Sequence, residues 1–365
     1  MYLKQLSLSN FRNYQDLFLE IPPAGAFFEG ENGSGKTNLL ESMYMLCTGR
    51  SQRNAAKGEM VGLSASSASI EGLIVSESGM NIKESRIAFN KTSIIDLKIN
   101  EKKITSFSEW FGSQTIVSFS PDDIEIIQGN PACRRKFLDI LISLFDKEYL
   151  RALIEYRKNL AMRNLLLNRK MDEILCEIYE NKMAEAGAVI VQKRKEILLL
   201  LSREFDPVYR EISAEKDVVF FTYEPSFMSD LSSIKSWKEV FYTMLCDRRK
   251  KDQETGFSSS GPHRDEVCFY INKKPAQKFA SRGQCRSIVL SLKISSMKCI
   301  EKITGKKPII LFDDAVSELD TGRTERVYSQ VEKQGQLFIA SPGKTVSLQD
   351  KIKRYKVSQG AVVAQ

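Results

Sequence analysis

Gly30-Glu31-Asn32-Gly33-Ser34-Gly35-Lys36-Thr37 is a complete GxxxxGK[ST] segment, and the apolar run Ala26-Phe27-Phe28 leads into it as a buried strand would. Each residue type has a physical task. The glycines let consecutive backbone N–H groups turn inward around phosphate oxygens, Lys36 reaches the β and γ phosphates, and the Thr37 hydroxyl ligates Mg2+. Thr37 to Leu46 is helix-competent and brings Leu39, Leu40, Met43, Tyr44 and Leu46 near one face, and Asn38 in its first turn joins the expected nucleotide-binding residues. Strand, loop and helix therefore occur in the order that phosphate binding requires, and the pattern predicts a nucleotide site with ATP and Mg2+ as its cofactors.

Ile309-Ile310-Leu311-Phe312-Asp313-Asp314 supplies the second half of such a site, an apolar strand ending in two carboxylates. Asp313 is expected to hold the Mg2+ hydration shell and Asp314 to orient the attacking water, which with Lys36 makes the catalytic set. Ser317-Glu318-Leu319-Asp320 follows at the spacing of the D-loop of ABC-type ATPases. Ser281-Arg282-Gly283-Gln284 lies about one helix upstream, where those ATPases carry their signature. A serine and glycine opening a helix there would offer N-terminal amides to the γ-phosphate held by another copy's loop, with ATP as the glue.

The chain of 365 residues exceeds most single cores, so two domains or a large insertion are expected. Seven cysteines without a CxxC pair read as free thiols of a reducing cytosol, and a single histidine, His263, rules out His-rich catalytic zinc sites. No apolar run approaches the roughly 20 residues that cross a bilayer, and the first residues lack a secretion pattern. A cytoplasmic protein without a membrane partner is expected. The net charge of +8 favours an acidic partner such as nucleic acid.

Alternating or apolar segments predict a β-rich first third, with strands at Leu3 to Leu8, Leu17 to Ile21, Ser69 to Ser76, Ile82 to Phe89, Ile94 to Ile99 and Thr115 to Phe119. From Asp122 to Arg210 the chain is poor in Gly and Pro and carries apolar residues at helical spacing. A strand at Val218 to Tyr223, a helix at Ser236 to Arg248 and a polar loop at Lys250 to His263 follow. The last third alternates helix and strand, the mark of a parallel α/β core. Taken with the motifs above, the expected fold is α/β, a P-loop ATPase head that resembles the ABC/SMC type, with a mainly helical insertion domain. Its expected parts are 1–120 for the first portion of the head, 121–250 for a helical lever arm and 251–365 for the rest of the head.

With these motifs placed, the chain resembles the RecF family, bacterial recombination mediators related to the SMC-type ABC ATPases. The resemblance runs nearly end to end. It rests on Leu8-Ser9-Asn10-Phe11-Arg12-Asn13-Tyr14, Gly30 to Glu41, Gly49-Arg50-Ser51, Phe119 to Asp123, Gly129-Asn130-Pro131, Arg134 to Asp139, Tyr156 to Leu166, Ser260 to Asp265, Ser281 to Arg286 and Asp313 to Asp320. It departs in three places. Cys285 stands where the family's signature usually has a second glutamine, Asp314 is one methylene shorter than the usual Glu of ABC ATPases, and Ser341 occupies the place of a switch histidine. The shorter acid predicts slow hydrolysis.

The resemblance implies a weak DNA-dependent ATPase that dimerises on ATP, binds duplex DNA next to single-stranded gaps and works with RecR and RecO to load RecA in gap repair. It also adds Arg12 to the nucleotide-binding set. The alternative is a transporter-type ABC ATPase subunit, which lacks the Ser260 to Asp265 segment and normally keeps the switch histidine. An SMC-type organiser with long coiled-coil arms is disfavoured, because about ninety helical residues at roughly 1.5 Å each make only a short lever.

For DNA, Arg134 to Lys170 holds ten basic residues against four acids. Arg134, Arg135, Arg151, Lys158 and Arg163 are the candidates there, Arg151 and Lys158 sharing a helical face. Arg50 and Arg53, beyond the phosphate-loop helix, form a second candidate patch. Trp110 and Trp237 are expected in the core rather than as base-stacking platforms.

Overall fold

The computed structural model describes residues 1–76, 82–168, 172–214, 217–227, 236–315, 319–343 and 352–365. The chain divides into two compact units, residues 1–123, 211–213 and 293–365 in the first, 124–210 and 214–292 in the second.

The first unit holds two six-stranded sheets. In one, strands Tyr14–Glu20, Tyr2–Phe11, Ser67–Val75, Ile82–Asn90, Ile94–Ile99 and Lys102–Lys103 lie side by side and antiparallel. Burial alternates along them as a one-sided sheet demands: Leu6, Ile70 and Ile87 are sealed inside, while Glu71 and Arg86 pair on the opposite face. The other sheet is the nucleotide core, in the order Ala361–Ala364, Lys353–Ser358, Gly25–Glu29, Gln336–Ser341, Ile309–Asp313 and Ile116–Phe119. Its five strands from Lys353–Ser358 to Ile116–Phe119 run parallel. Ile309, Ile310, Leu311 and Phe312 are all at most 1% exposed, so this strand is covered on both faces and reads as an unbroken apolar run.

The phosphate-loop helix, Lys36–Thr48, packs between the two sheets, and eleven of its thirteen residues are buried. It is therefore enclosed around most of its circumference, with Lys36, Glu41, Ser42 and Thr48 buried beside the apolar residues of the face that its sequence pattern implies. The antiparallel sheet makes room with Gly72, where an added Cβ would lie 2.3 Å from Leu46.

The second unit contains helices Pro131–Ser143, Lys147–Leu167 and Trp237–Thr255, most of Glu173–Ser213, and the start of Arg282–Thr304. A three-stranded sheet of Val219–Glu224, Glu266–Ile271 and Lys274–Pro275 completes it. Local caps set the helix starts: the side chains of Asn130, Asp146, Asp172 and Ser236 each accept from a first-turn amide.

Three features differ from the sequence reading. Lys250 to Thr255, expected in a loop, continues the helix until Gly256, whose φ of 77° ends it. Residues 251–292, expected with the head, belong to the second unit, because Glu266–Ile271 pairs with Val219–Glu224 across nearly its whole length. The C-terminal hairpin, Lys353–Ser358 and Ala361–Ala364, extends the nucleotide sheet beside the strand that precedes the phosphate loop.

Candidate nucleotide site and nucleic-acid surface

The nucleotide candidates converge at the carboxyl ends of the parallel strands in the first unit. Ser341 pairs with Glu29, and Ala340 with Asp313, so the loop after Glu29 and the acid Asp313 flank one intervening strand. Ligands of open α/β sheets bind in such a crevice. Within the loop, Gly33 and Gly35 adopt φ of 81° and 114°, conformations that side chains resist. A Cβ on Gly35 would also lie 2.5 Å from Asn13. Glu31 and Asn32 are exposed at the turn, Ser34 donates its amide to the Glu31 carbonyl at 3.2 Å, and Gly30 backs onto Val357 of the C-terminal hairpin.

Lys36 crosses this loop. Its ammonium donates to the carbonyls of Gly30 at 2.6 Å and Glu31 at 2.8 Å. Burial lowers its pKa, while the charges of Asp313 and Asp314 act in the opposite sense. The Ser34 hydroxyl is buried without a hydrogen-bond partner among the described residues, a donor left over within the loop. The residues fit a polyphosphate.

Thr37 donates its hydroxyl to Asp313 at 2.9 Å. A hydroxyl and a carboxylate in contact beside a phosphate cradle are the oxygen donors that a hard cation such as Mg2+ takes. Burial raises the pKa of Asp313, and the Thr37 hydrogen bond and the Arg53 charge oppose that rise. Asp314 follows with φ of 52° and donates its amide to Ala340, so the two carboxylates leave the strand along different paths. Ser341, in place of a switch histidine, accepts from the Gly343 amide at 3.4 Å. Ser317 and Glu318 of the expected D-loop lie outside the described residues; Asp320 caps helix Thr321–Val331.

The hairpin turn between the first two strands reaches this loop. Tyr14 donates its buried hydroxyl to the Gly35 carbonyl at 3.0 Å, and Asn13 bonds both Ser34 and Asn38. Arg12, expected among the nucleotide ligands, is paired beside that turn: its Nε and Nη2 donate to Glu41 at 2.9 and 3.1 Å, and Nη1 to the Glu59 carbonyl at 2.8 Å. It braces the turn, and Asn13 and Tyr14 make the loop contacts. Glu41, 1% exposed, is the hub of this brace, since Arg53 and Ser51 also donate to it. Burial works to raise its pKa, but the bonds from Arg53, Arg12 and Ser51 outweigh that and hold it below the ordinary carboxylate value.

In the second unit, Ser281 and Arg282 are exposed at the start of helix Arg282–Thr304, with Gly283 and Gln284 half-buried. Cys285 is fully buried, its thiol within 3.7 Å of Gln128 and 3.9 Å of the Ala280 carbonyl. The departure from the double-glutamine signature thus points into the protein.

A family model described as RecF/RecN/SMC N terminal domain matches residues 2–362. A DNA replication and repair protein RecF of Clostridium novyi (strain NT) is 34% identical over 366 residues, covering 99% of both chains. The chain belongs to the RecF family. The RecF of Staphylococcus haemolyticus (strain JCSC1435) is 31% identical over 374 residues, covering all of both chains. Among solved structures, that of the recombination mediator protein RecF-ATPrS in the RecFOR pathway superposes with a TM-score of 0.90 at 31% identity, covering 100% of this chain and 98% of that one. The Smc head domain of Pyrococcus furiosus shares the fold, with a TM-score of 0.59 at 17% identity, covering 100% of this chain and 96% of that one. The fold of this RecF-family chain is that of an SMC-like, ABC-type ATPase head with a mainly helical second unit. No helix among the described residues is long and apolar enough to cross a membrane.

The basic residues of this RecF-family chain separate into surface and core. Arg151 and Lys158 are exposed on one face of helix Lys147–Leu167, two turns apart. Arg163, expected beside them, is completely buried and paired with Glu180 at 3.0 Å and Asp252 at 2.7 Å. Arg134 is buried too, bonding Glu266 at 2.6 Å and the Gly129 carbonyl at 2.9 Å. Both leave the DNA-contact set, because each side chain is consumed in joining elements of its own unit. Arg135 is half-buried and donates to the Asp265 carbonyl. Arg50 is exposed with its guanidinium 4.8 Å from the Phe107 ring centre, and Arg53 is shared between Glu41 and Asn38. Trp110 is core, as expected, whereas Trp237 is half-buried against Phe227.

His263 is enclosed. Its Nδ1 lies 2.7 Å from the Tyr156 hydroxyl and its Nε2 3.0 Å from the Ser258 carbonyl, which assigns the proton of the neutral ring to Nε2. Burial lowers its pKa to about 4. The unfolded chain therefore binds a proton that the folded one refuses between pH 6.5 and about 4. Stability is retained above that window and falls on acidification through it, by about 3 kcal/mol in full. Urea titrations across these pH values should show a slope that His263→Gln largely removes; an unchanged slope would mean that other groups carry it.

Proposed function

We propose that this RecF-family chain is an ATP-controlled DNA clamp. Two copies join through ATP held between the phosphate loop of one and the signature segment of the other. The pair grips duplex DNA beside a single-stranded gap, and slow, DNA-stimulated hydrolysis releases it. The observation that carries this reading is the presentation of Ser281 and Arg282 to solvent at a capped helix start, in a chain that also has a complete phosphate cradle.

The roles of the residues follow from their placement. Gly30 to Asn38 wrap the polyphosphate with backbone amides, Lys36 neutralises it, and the Ser34 hydroxyl is available to it. Mg2+, which would be held by Thr37 and Asp313, supplies charge neutralisation on the phosphate oxygens. Asp314 holds the proton of the attacking water, and its short side chain makes hydrolysis slow. Arg151 and Lys158 track the DNA backbone, with Arg50 and Arg53 as a further patch. Affinity should then fall steeply with salt and show little sequence preference. RecR and RecO, and functionally RecA, are the partners of this activity in the cytoplasm. The relatives' roles in DNA replication and repair and in the RecFOR pathway support this reading over a transporter subunit.

Sedimentation of wild type and Ser281→Arg with ATP and with ADP tests it. Wild type should dimerise with ATP only, and Ser281→Arg should bind ATP yet remain monomeric. Normal dimerisation of Ser281→Arg would exclude a signature segment that closes a shared site.

A further inference from the structure

The start of the signature helix is held by a chain of four side chains, those of Ser281, Gln284, Asp217 and Asn272. The Ser281 amide donates to Gln284 Oε1 at 2.8 Å, and the Gln284 amide donates to Ser281 Oγ at 3.2 Å, a reciprocal capping box. The other end of the Gln284 side chain, Nε2, donates to Asp217 Oδ2 at 2.8 Å. Asp217 Oδ1 accepts from Asn272 Nδ2 at 2.6 Å. Asn272 lies in the turn between strands Glu266–Ile271 and Lys274–Pro275, with φ of 48°, and its Oδ1 accepts from the Val218 amide at 3.0 Å.

The chemistry of this chain is directional. A glutamine amide can be turned end for end at little cost, but a carboxylate only accepts, so Asp217 draws Nε2 toward itself and sends Oε1 to the Ser281 amide. The Ser281 hydroxyl, already accepting from Gln284, then keeps its own proton for an acceptor outside the chain. The next amides of the helix, at Arg282 and Gly283, remain first-turn donors available to an anion.

We propose that Asp217 is a positioning residue of the signature segment: by fixing which end of Gln284 faces Ser281, it prepares the Ser281 hydroxyl and the first-turn amides to receive the terminal phosphate of a nucleotide bound by a second copy. This rests on the clamp reading above. Asp217 itself touches no phosphate in this scheme and acts through Gln284.

Reversing the polarity of the bond tests it. Asp217→Asn can accept from only one of its two amide partners, and Gln284→Glu sets a carboxylate against Asp217. Each single change should weaken ATP-dependent self-association about tenfold. In the double variant, the amide introduced at position 217 donates to the carboxylate introduced at position 284 and still accepts from Asn272. That carboxylate in turn still accepts from the Ser281 amide. Association should return to within about threefold of wild type, a coupling that independent sites do not show. Monomer affinity for a fluorescent ATP analogue and the thermal midpoint report on general damage and should stay near wild type in all three.

Single variants that associate like wild type, or a double variant no better than the weaker single, would overturn the role of Asp217 while leaving the clamp intact. A wild-type protein that never associates with ATP would overturn both.

Discussion

Arg163→Ala is expected to destabilise the protein by about 3–5 kcal/mol, the usual cost of removing one partner from a buried ion pair. Arg163 has no exposed surface, and its guanidinium serves Glu180, Asp252, the Ser258 hydroxyl and the Leu245 carbonyl. Three helices and the segment after Gly256 meet on this one side chain. Alanine leaves a cavity and, at Asp252, a 1% exposed carboxylate without that cation. Glu180 retains Arg249, so the loss falls mainly on Asp252. Arg163→Lys should recover only part of the loss, since an ammonium cannot serve four acceptors spread over a planar fork. Denaturant midpoints measure this directly. By contrast, Arg151→Ala and Lys158→Ala should shift stability by no more than about 0.5 kcal/mol, yet lower duplex affinity and reduce the salt slope by about 1 each. An Arg163→Ala protein as stable as wild type but poor at binding DNA would reverse these assignments.

Lys36→Ala should lower nucleotide affinity at least thirtyfold, about 2 kcal/mol or more, with little change in stability. Among the described residues the ammonium bonds two loop carbonyls, and both lie at a partly exposed turn where water can replace it. A triphosphate brings several negative charges to that position, and no other side-chain cation among the loop residues Gly30 to Thr37 can neutralise them. Burial lowers the Lys36 pKa, and the charges of Asp313 and Asp314 oppose that depression. Titration calorimetry with ATP, with and without Mg2+, reads the effect; wild-type affinity in Lys36→Ala would remove the lysine from the site. ATP-dependent dimerisation should disappear with binding, which distinguishes this variant from Ser281→Arg.

Much of this was legible in one dimension for a reason of backbone chemistry. A phosphate cradle needs glycine at positions of positive φ, a lysine and a hydroxyl in fixed succession, so Gly33, Gly35, Lys36 and Thr37 announce it without reference to the rest of the chain. The strand Ile309–Asp313 declares itself equally, because a strand covered on both faces has no polar positions until it ends. Helix Lys147–Leu167 starts at its Asp146 cap, and strand Val219–Glu224 falls on an apolar run.

Charge was less legible. Arg134, Arg151, Lys158 and Arg163 look alike in a count of basic residues, and only packing separates two solvent-facing cations from two that are buried, Arg134 against Glu266 and Arg163 against Asp252, both distant in sequence. The pairing of Arg12 is hidden in the same way: Glu41 lies 29 residues on, past two strands and inside the phosphate-loop helix. The seven cysteines carry no such ambiguity, and all are free thiols.

From the amino-acid order alone come the phosphate loop, the acidic strand end, the signature helix start and the family, since each is a local pattern imposed by backbone dihedrals or burial on both faces. The three-dimensional structure alone decided which cations are surface and which are core, that residues 251–292 join the helical unit, and that Asp217 stands against Gln284 sixty-seven positions away. Long-range partners of this kind are chosen by which elements pack together, and no short stretch of sequence encodes that choice.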